Sequence, residues 1–176
     1  MRKKFALIGM ILAGIVGCAH TGGIGEKEKI YGQNTPVIEQ SFASDQLRPG
    51  EPWKIYIRAS DPDGDMETII AAVEQAGIGS YPVSITKIKG ETGKELSGYV
   101  FLNTGSHDFL DNQELSVSIQ IRDKAGHISK SVTHSVAISS RQTQKSPPGG
   151  VFKETDLGPI MVTLRSTSGG RRCRRT

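Results

Sequence analysis

The stretch that decides the fold is LSVSIQIR, Leu115–Arg122, in which apolar and polar residues alternate without exception. Successive side chains on a β-strand point to opposite faces, so this alternation predicts a strand with one buried and one solvent-facing side. The rest of the chain can be interpreted outward from this strand, because similar alternation recurs on both sides of it.

Several more strands are predicted on the same grounds. They are Pro36–Phe42, Pro52–Ala59, Met66–Gln75, Tyr81–Ile85, Leu96–Thr104 and Val132–Ile138. Met66–Gln75 also fits helical spacing, but the β-elements on both sides favour a strand. Glycine- and proline-containing turn signals separate the segments, and their number and spacing predict a single immunoglobulin-like β-sandwich of about seven strands. Trp53 is predicted in its core, and His134 is predicted as a packed or edge residue.

A loop of alternating aspartates follows the strand that contains Trp53. It reads ASDPDGDM, and it contains Asp61, Asp63 and Asp65, while Asp123 ends the strand LSVSIQIR. The two loops concerned meet at the same end of an immunoglobulin-like sandwich. Because Ca²⁺ takes six to eight oxygen ligands, these four aspartates form a candidate calcium site of structural role.

The same loop is also explained as a tight turn without a metal. Aspartate and glycine initiate turns, and Pro62 presets one φ angle. An EF-hand is excluded, because Met66 stands where that loop needs glycine and Ala72 stands where it needs a bidentate glutamate. The turn and the calcium site are both left open by the sequence.

The loop sequences also resemble a known superfamily. ASDPDGD after an alternating strand, with RDKAGHIS some sixty residues later, is similar to bacterial Ig-like domains of the PKD and cadherin-like type. The resemblance covers about 100 of the 176 residues, and it departs from the pattern at His127, where asparagine is usual. It implies an Ig-like sandwich and a non-catalytic module.

The N-terminus has the pattern of a signal peptide. Three cations, Arg2–Lys4, precede the apolar run Phe5–Val16. A run of this length is typical of a signal-peptide core and is too short to span a bilayer of about 30 Å as a helix.

The end of that run, Ile15–Cys18, resembles a bacterial lipobox. The resemblance implies cleavage before Cys18 and lipidation of that cysteine by diacylglyceryl and acyl chains such as palmitate, which anchors the protein to the membrane. An ordinary secretory signal that contains a cysteine is the alternative. Ala19 follows the cysteine, which favours the outer membrane if the source is Gram-negative. The predicted location is therefore the bacterial cell envelope.

The chain divides into five predicted segments. They are the signal peptide 1–17, the lipidated cysteine and flexible tether 18–34, the sandwich 35–139, a linker 140–150, and a short C-terminal segment with a basic tail 151–176. The net charge of +4 depends on Arg2–Lys4 and on four arginines within 171–175, and not on a basic domain face. No nucleic-acid partner is therefore predicted.

The sequence predicts no enzyme. Ser106, His107 and Asp108 are adjacent, but members of a catalytic triad meet through the fold and not by adjacency. The predicted function is that of a non-catalytic binding or assembly module whose partners are envelope proteins or polysaccharide. The alternative is a structural spacer or accessory subunit that donates its apolar run Ile160–Leu164 to the sheet edge of a partner.

Overall fold

The computed structural model describes residues 23–89, 93–105 and 110–166. Its elements, in chain order, are α1 Ile24–Tyr31, β1 Val37–Ala43, β2 Gln46–Leu47, β3 Trp53–Ser60, β4 Met66–Gln75, β5 Gly79–Ser80, β6 Ser84–Lys87, β7 Glu95–Leu102, β8 Gln113–Asp123, β9 Val132–Ile138 and β10 Asp156–Ile160. Within these ranges, no helix is long and apolar enough to cross a membrane.

The strands of the described residues form two sheets. Sheet A has the order β1-β3-β7-β10, and sheet B has the order β2-β9-β8-β4-β5, with β6 also paired to β4. The strands β1, β3 and β7 pair antiparallel in sheet A, and β4, β8 and β9 do so in sheet B. This connectivity, with one three-stranded group in each sheet, is that of an immunoglobulin-like sandwich. The predicted fold class is confirmed.

The core lies between the sheets and is built from the alternating positions. The inward-facing residues Trp53, Ile55, Ile57 and Ala59 of β3 are at most 1 % exposed. The indole N–H of Trp53 donates a hydrogen bond of 2.9 Å to the carbonyl of Ser44, so its one polar atom is satisfied. Each fully buried large apolar side chain contributes about 1.5–3 kcal/mol to folding.

Most of the predicted strands are confirmed, including Met66–Gln75, which is β4. The segment predicted as Tyr81–Ile85 differs from the prediction. The strand there is β6, Ser84–Lys87, while Tyr81 is buried in the core. β6 is a short strand at the edge of sheet B, paired with β4. Ile85 in this strand and Val83 just before it face solvent, with 59 % and 56 % of their surfaces exposed.

The C-terminal segment belongs to the sandwich in this structure. The strand is β10, which precedes and includes Ile160, and it pairs in parallel with β7. The apolar side chains Leu157, Ile160 and Leu164 join the core cluster. Backbone groups on either side of Ile160 also reach sheet B, because the Pro159 carbonyl accepts from Thr86 and the Met161 N–H donates to Ser84. The segment therefore closes one side of the sandwich.

The helix α1 was not indicated by the sequence, which predicted a flexible tether over 18–34. None of its residues is buried, and Ile24 and Ile30 are exposed. The helix ends at Tyr31 and is followed by Gly32, which has a φ of +111°. A helix of eight residues without a buried face is marginal alone, so its polar contacts with the sandwich, described below, are what fix its position.

Candidate metal centre

Three aspartates meet at one end of the sandwich, where β3 and β8 end and β4 begins. Asp61 follows β3, Asp65 precedes β4, and Asp123 is the last residue of β8. Antiparallel pairing places Met66 opposite Asp123, which brings the start of β4 beside the end of β8. The Lys124 N–H donates to the Asp65 carbonyl at 3.1 Å, and this bond fixes the two loops to each other.

These residues, here called the acidic triad, have carboxylate oxygens within 4.8 Å of one another. Asp61, Asp65 and Asp123 are 0 %, 7 % and 1 % exposed. One oxygen of Asp61 and both oxygens of Asp65 are buried without a hydrogen-bond partner. Buried carboxylates without partners are costly, so the arrangement is stabilised only if something else neutralises them.

The electrostatics of the triad also disfavour the charged form of Asp61. Burial, which is the largest cause, and the neighbouring Asp65 and Asp123 together raise the pKa of Asp61 to about 6, against a backbone hydrogen bond from Asp63 that lowers it. The unfavourable interactions of the Asp61 carboxylate are therefore desolvation and like charge, both of which a bound cation reverses.

Asp123 is held in place by the turn that follows it. Its Oδ1 accepts hydrogen bonds from the backbone N–H groups of Gly126 and His127, at 2.6 and 2.8 Å. Its Oδ2 lies 2.9 Å from Nδ1 of His127, whose Nε2 lies 3.1 Å from Oε1 of Glu28 in α1. Hydrogen bonds with Glu28 and then with Asp123 raise the pKa of His127. His127 thus connects the triad to the N-terminal helix.

Asp63 lies apart from the triad, although the sequence grouped it with the other three. The loop is the tight turn that its composition indicates, with the Asp63 N–H donating to Oδ1 of Asp61 at 3.0 Å and Gly64 at a φ of +74°. The turn directs the Asp63 carboxylate toward Asn34, whose backbone N–H and Nδ2 donate to it at 2.7 and 2.8 Å. These bonds lower the pKa of Asp63.

The triad fits a hard divalent cation. Ca²⁺ binds oxygen at about 2.3–2.6 Å, so oxygens on opposite sides of the ion are at most about 5 Å apart. The spacing within 4.8 Å meets this limit. The three oxygens without partners supply free lone pairs, and Asp123 is oriented by the bonds from its own turn. Asp61, Asp65 and Asp123 are the residues that would hold the ion.

A second concave surface lies on the outer side of sheet A, and it is here called the aromatic cleft. Its volume is about 490 Å³, and its lining includes Phe42, Tyr56 and Phe152. The Tyr56 ring centre is 5.8 Å from that of Phe152. The Tyr56 hydroxyl donates to Glu154 at 2.9 Å, and Nζ of Lys54 pairs with the same carboxylate at 3.2 Å. The cleft thus combines aromatic faces with a neutralised charged pair.

Other residues singled out by the sequence have different placements. Cys18, the predicted lipidation site, lies outside the described residues, and so do Ser106, His107 and Asp108. His134 is a partly buried residue between the sheets, with Nε2 3.0 Å from the Ser41 hydroxyl. The contacts of Glu28 and Asn34 were not predicted from the sequence, because nothing local in an exposed polar segment indicates a partner distant in the chain.

Two solved domains are similar to part of this chain. No protein-family model matches the chain, and no curated protein matches it. The PKD domain of an M14-like peptidase from the Thermoplasmatales archaeon SCGC AB-540-F20 is similar at a TM-score of 0.38 and 16% identity, covering 61% of this chain and 97% of that chain. The CARDB domain of the PF1109 protein from Pyrococcus furiosus, solved in complex with di-metal ions, is similar at a TM-score of 0.31 and 9% identity, covering 61% and 93%.

Proposed function

We propose that this protein is a lipid-anchored lipoprotein of the bacterial cell envelope whose Ig-like domain is a non-catalytic binding or assembly module, stabilised by Ca²⁺ at the acidic triad. The observation that carries the proposal is the set of buried, unpartnered carboxylate oxygens of Asp61 and Asp65 beside Asp123. A site built in this way is explained by a cation that holds two loops together, and a structural role for the cation follows.

Calcium titration calorimetry on the chain from Ala19 to Thr176, which contains every described residue, tests the cation site. The expected result is a single binding event in the wild type that is lost in Asp65→Asn. Asp45→Asn is the matched control, because Asp45 is an exposed aspartate that pairs with Lys145 and takes no part in the triad. Equal binding by wild type and Asp65→Asn would place the ion elsewhere.

The anchor is proposed from the sequence Ile15–Cys18 and its apolar leader. Two or more acyl chains give stable membrane anchoring, whereas one gives only marginal binding. Cys18→Ala is expected to move the protein from the membrane fraction to the soluble fraction of cells. A Cys18→Ala protein that is processed and membrane-bound as before would contradict lipidation.

The proposed partners are envelope proteins or polysaccharide, and the aromatic cleft is the surface proposed for their contact. Concave sites with aromatic walls and a few oriented polar groups are typical of ligand binding. A photo-crosslinking residue placed at Phe152 is expected to capture a protein partner in cells, with the same residue at the exposed Ile128 as control. Co-sedimentation with isolated cell-wall polysaccharide that is lost in Phe152→Ala would assign the polysaccharide instead. If neither the crosslink nor the polysaccharide binding is observed, the cleft is not the contact surface.

The alternative function, strand donation by the C-terminal segment to a partner's sheet, finds no support in the structure. β10 pairs with β7 of the same chain, and Ile160 is buried at 4 % exposure. Donation would first require the removal of this strand from its own core.

A further inference from the structure

Residues 24–34, here called the N-terminal arm, lie against the same two loops that supply the acidic triad. Glu28 of the arm lies 3.1 Å from Nε2 of His127. Asn34 donates two hydrogen bonds to the Asp63 carboxylate, at 2.7 and 2.8 Å. The arm also approaches closely at Gly32, where a Cβ would lie 2.1 Å from an Asp63 oxygen. The arm is thus docked through specific polar contacts.

Apolar burial does not hold the arm in place. Its helix has no buried residue, and Ile30 is 73 % exposed. A helix of this length is marginal in water without tertiary support. The polar side chains of the arm contact Asp63 and His127, and the centre of its Tyr31 ring lies 5.9 Å from Nζ of Lys124. The two hydrogen-bonded contacts make docking depend on the positions of Asp63 and His127.

Both of these residues are bonded directly to members of the triad. The Asp63 N–H donates to Oδ1 of Asp61 at 3.0 Å. His127 donates its backbone N–H to Asp123 and places Nδ1 2.9 Å from the other oxygen of that carboxylate. Each docking contact is therefore made to a residue that is itself hydrogen-bonded to a member of the triad. Asp63 is bonded to Asp61, and His127 is bonded to Asp123.

We propose that occupancy of the triad by a divalent cation and docking of the N-terminal arm are coupled, so that the cation fixes the direction in which the chain leaves the domain toward its N-terminus. The inference rests on the proposed cation site. Without a cation, three neighbouring carboxylates repel one another and the two loops separate; with one, Asp61 and Asp123 are drawn together and hold Asp63 and His127 in the docking geometry. Coupling between two equilibria is reciprocal, so docking also strengthens cation binding.

In the anchored protein, the coupling would affect the chain between the anchor and the domain. The arm connects the predicted lipidated cysteine to the sandwich. A docked arm fixes residues 24–34 to the domain, so fewer residues separate the domain from the predicted anchor at Cys18 than when the arm is undocked.

The test compares two matched double variants of the chain from Ala19 to Thr176. Glu28→Ala with Asn34→Ala removes both side-chain docking contacts and leaves the bond from the Asn34 backbone N–H to Asp63. Glu26→Ala with Gln33→Ala truncates an acid and an amide at exposed positions of the same arm, for which the described structure shows no side-chain hydrogen bond or ion pair. Two readouts are used: calcium affinity by calorimetry, and the rate of trypsin cleavage after Lys27 and Lys29 in the arm, with calcium and with a chelator.

The expected result is that calcium slows cleavage after Lys27 and Lys29 in the wild type and in the control variant, and not in the docking variant. The docking variant is also expected to bind calcium about fivefold or more weakly, the range typical of coupled sites. Equal calcium affinity in all three proteins, with cleavage that calcium does not change, would overturn the coupling while leaving the cation site intact. No calcium binding by the wild type would remove the proposed cation site itself, and the coupling with it.

Discussion

At the scale of single residues, the acidic triad and His134 show two opposite ways of placing an ionisable group in a core. Asp61 and Asp65 are buried with oxygens that have no partner in the described residues, which is a cost that a ligand relieves. His134 is partly buried beside Ser41 and needs no ligand, because its neutral ring satisfies the contact. The first arrangement indicates binding, and the second indicates packing.

His134 gives a prediction for the pH dependence of stability. Burial lowers its pKa from the ordinary value of 6.5. The unfolded chain therefore takes up a proton at higher pH than the folded chain does, so the contribution of His134 is present above about pH 6.5 and is lost as pH falls through the folded pKa. His134→Gln is expected to lose less stability than the wild type between pH 7 and pH 5 in urea unfolding. Identical losses would show that His134 titrates normally in the fold.

At the scale of elements, β10 completes sheet A in a place that only glycine allows. A Cβ on Gly98 of β7 would lie 2.4 Å from the Thr155 carbonyl and 2.8 Å from Leu157. The parallel pairing of β10 with β7 thus depends on a residue without a side chain. The strand in turn buries Leu157 and Ile160, so a local steric condition supports part of the core.

Gly98→Ala is expected to displace β10 and to destabilise the fold by about 1–3 kcal/mol, the usual cost of inserting a methyl group into packed structure. Gly149→Ala is the control, because a Cβ there would meet nothing within 4 Å. The free energy of unfolding in urea is the measurement. Equal stabilities for the two variants would mean that β10 contributes little.

Removal of the whole C-terminal segment tests the same element more strongly. Deletion of 151–176 takes away Leu157, Ile160 and Leu164, each a buried apolar side chain of the core cluster. At about 1.5–3 kcal/mol for each side chain, the loss is a large part of the stability of an ordinary domain. We expect the truncated chain to melt far below the wild type. A truncated chain as stable as the wild type would contradict the assignment of β10 to the core.

At the scale of the whole molecule, the sequence predicted what depends on local pattern. Alternation in Leu115–Arg122 and in the strand of Trp53 determines which residues face the core, and the structure confirms both strands. The class of sandwich followed from counting such segments. The convergence of Asp61, Asp65 and Asp123 followed from the rule that the two loops share one end.

What the sequence did not predict depends on contacts between distant residues. Asp63 is indistinguishable from Asp61 and Asp65 by spacing, and only the geometry of the turn sends it toward Asn34. The helix α1 has no apolar stripe to reveal it, and its link to His127 joins residues 99 positions apart. The pairing of β10 with β7 could not be predicted from the sequence, because it depends on the space that Gly98 leaves for Thr155 and Leu157.

The most direct test of the calcium-stabilised sandwich is thermal melting of the chain from Ala19 to Thr176, in calcium and in chelator. At a hundredfold excess over Kd, a ligand adds about 2.7 kcal/mol, which raises the Tm of a domain of this size by on the order of 10 °C. We predict this rise for the wild type and for Asp45→Asn, and no rise for Asp65→Asn, which in chelator should melt at or above the wild type because one of three like charges is gone. A wild-type Tm that calcium leaves unchanged would contradict stabilisation of the sandwich by calcium, and the aspartate loop would then be a tight turn without a metal.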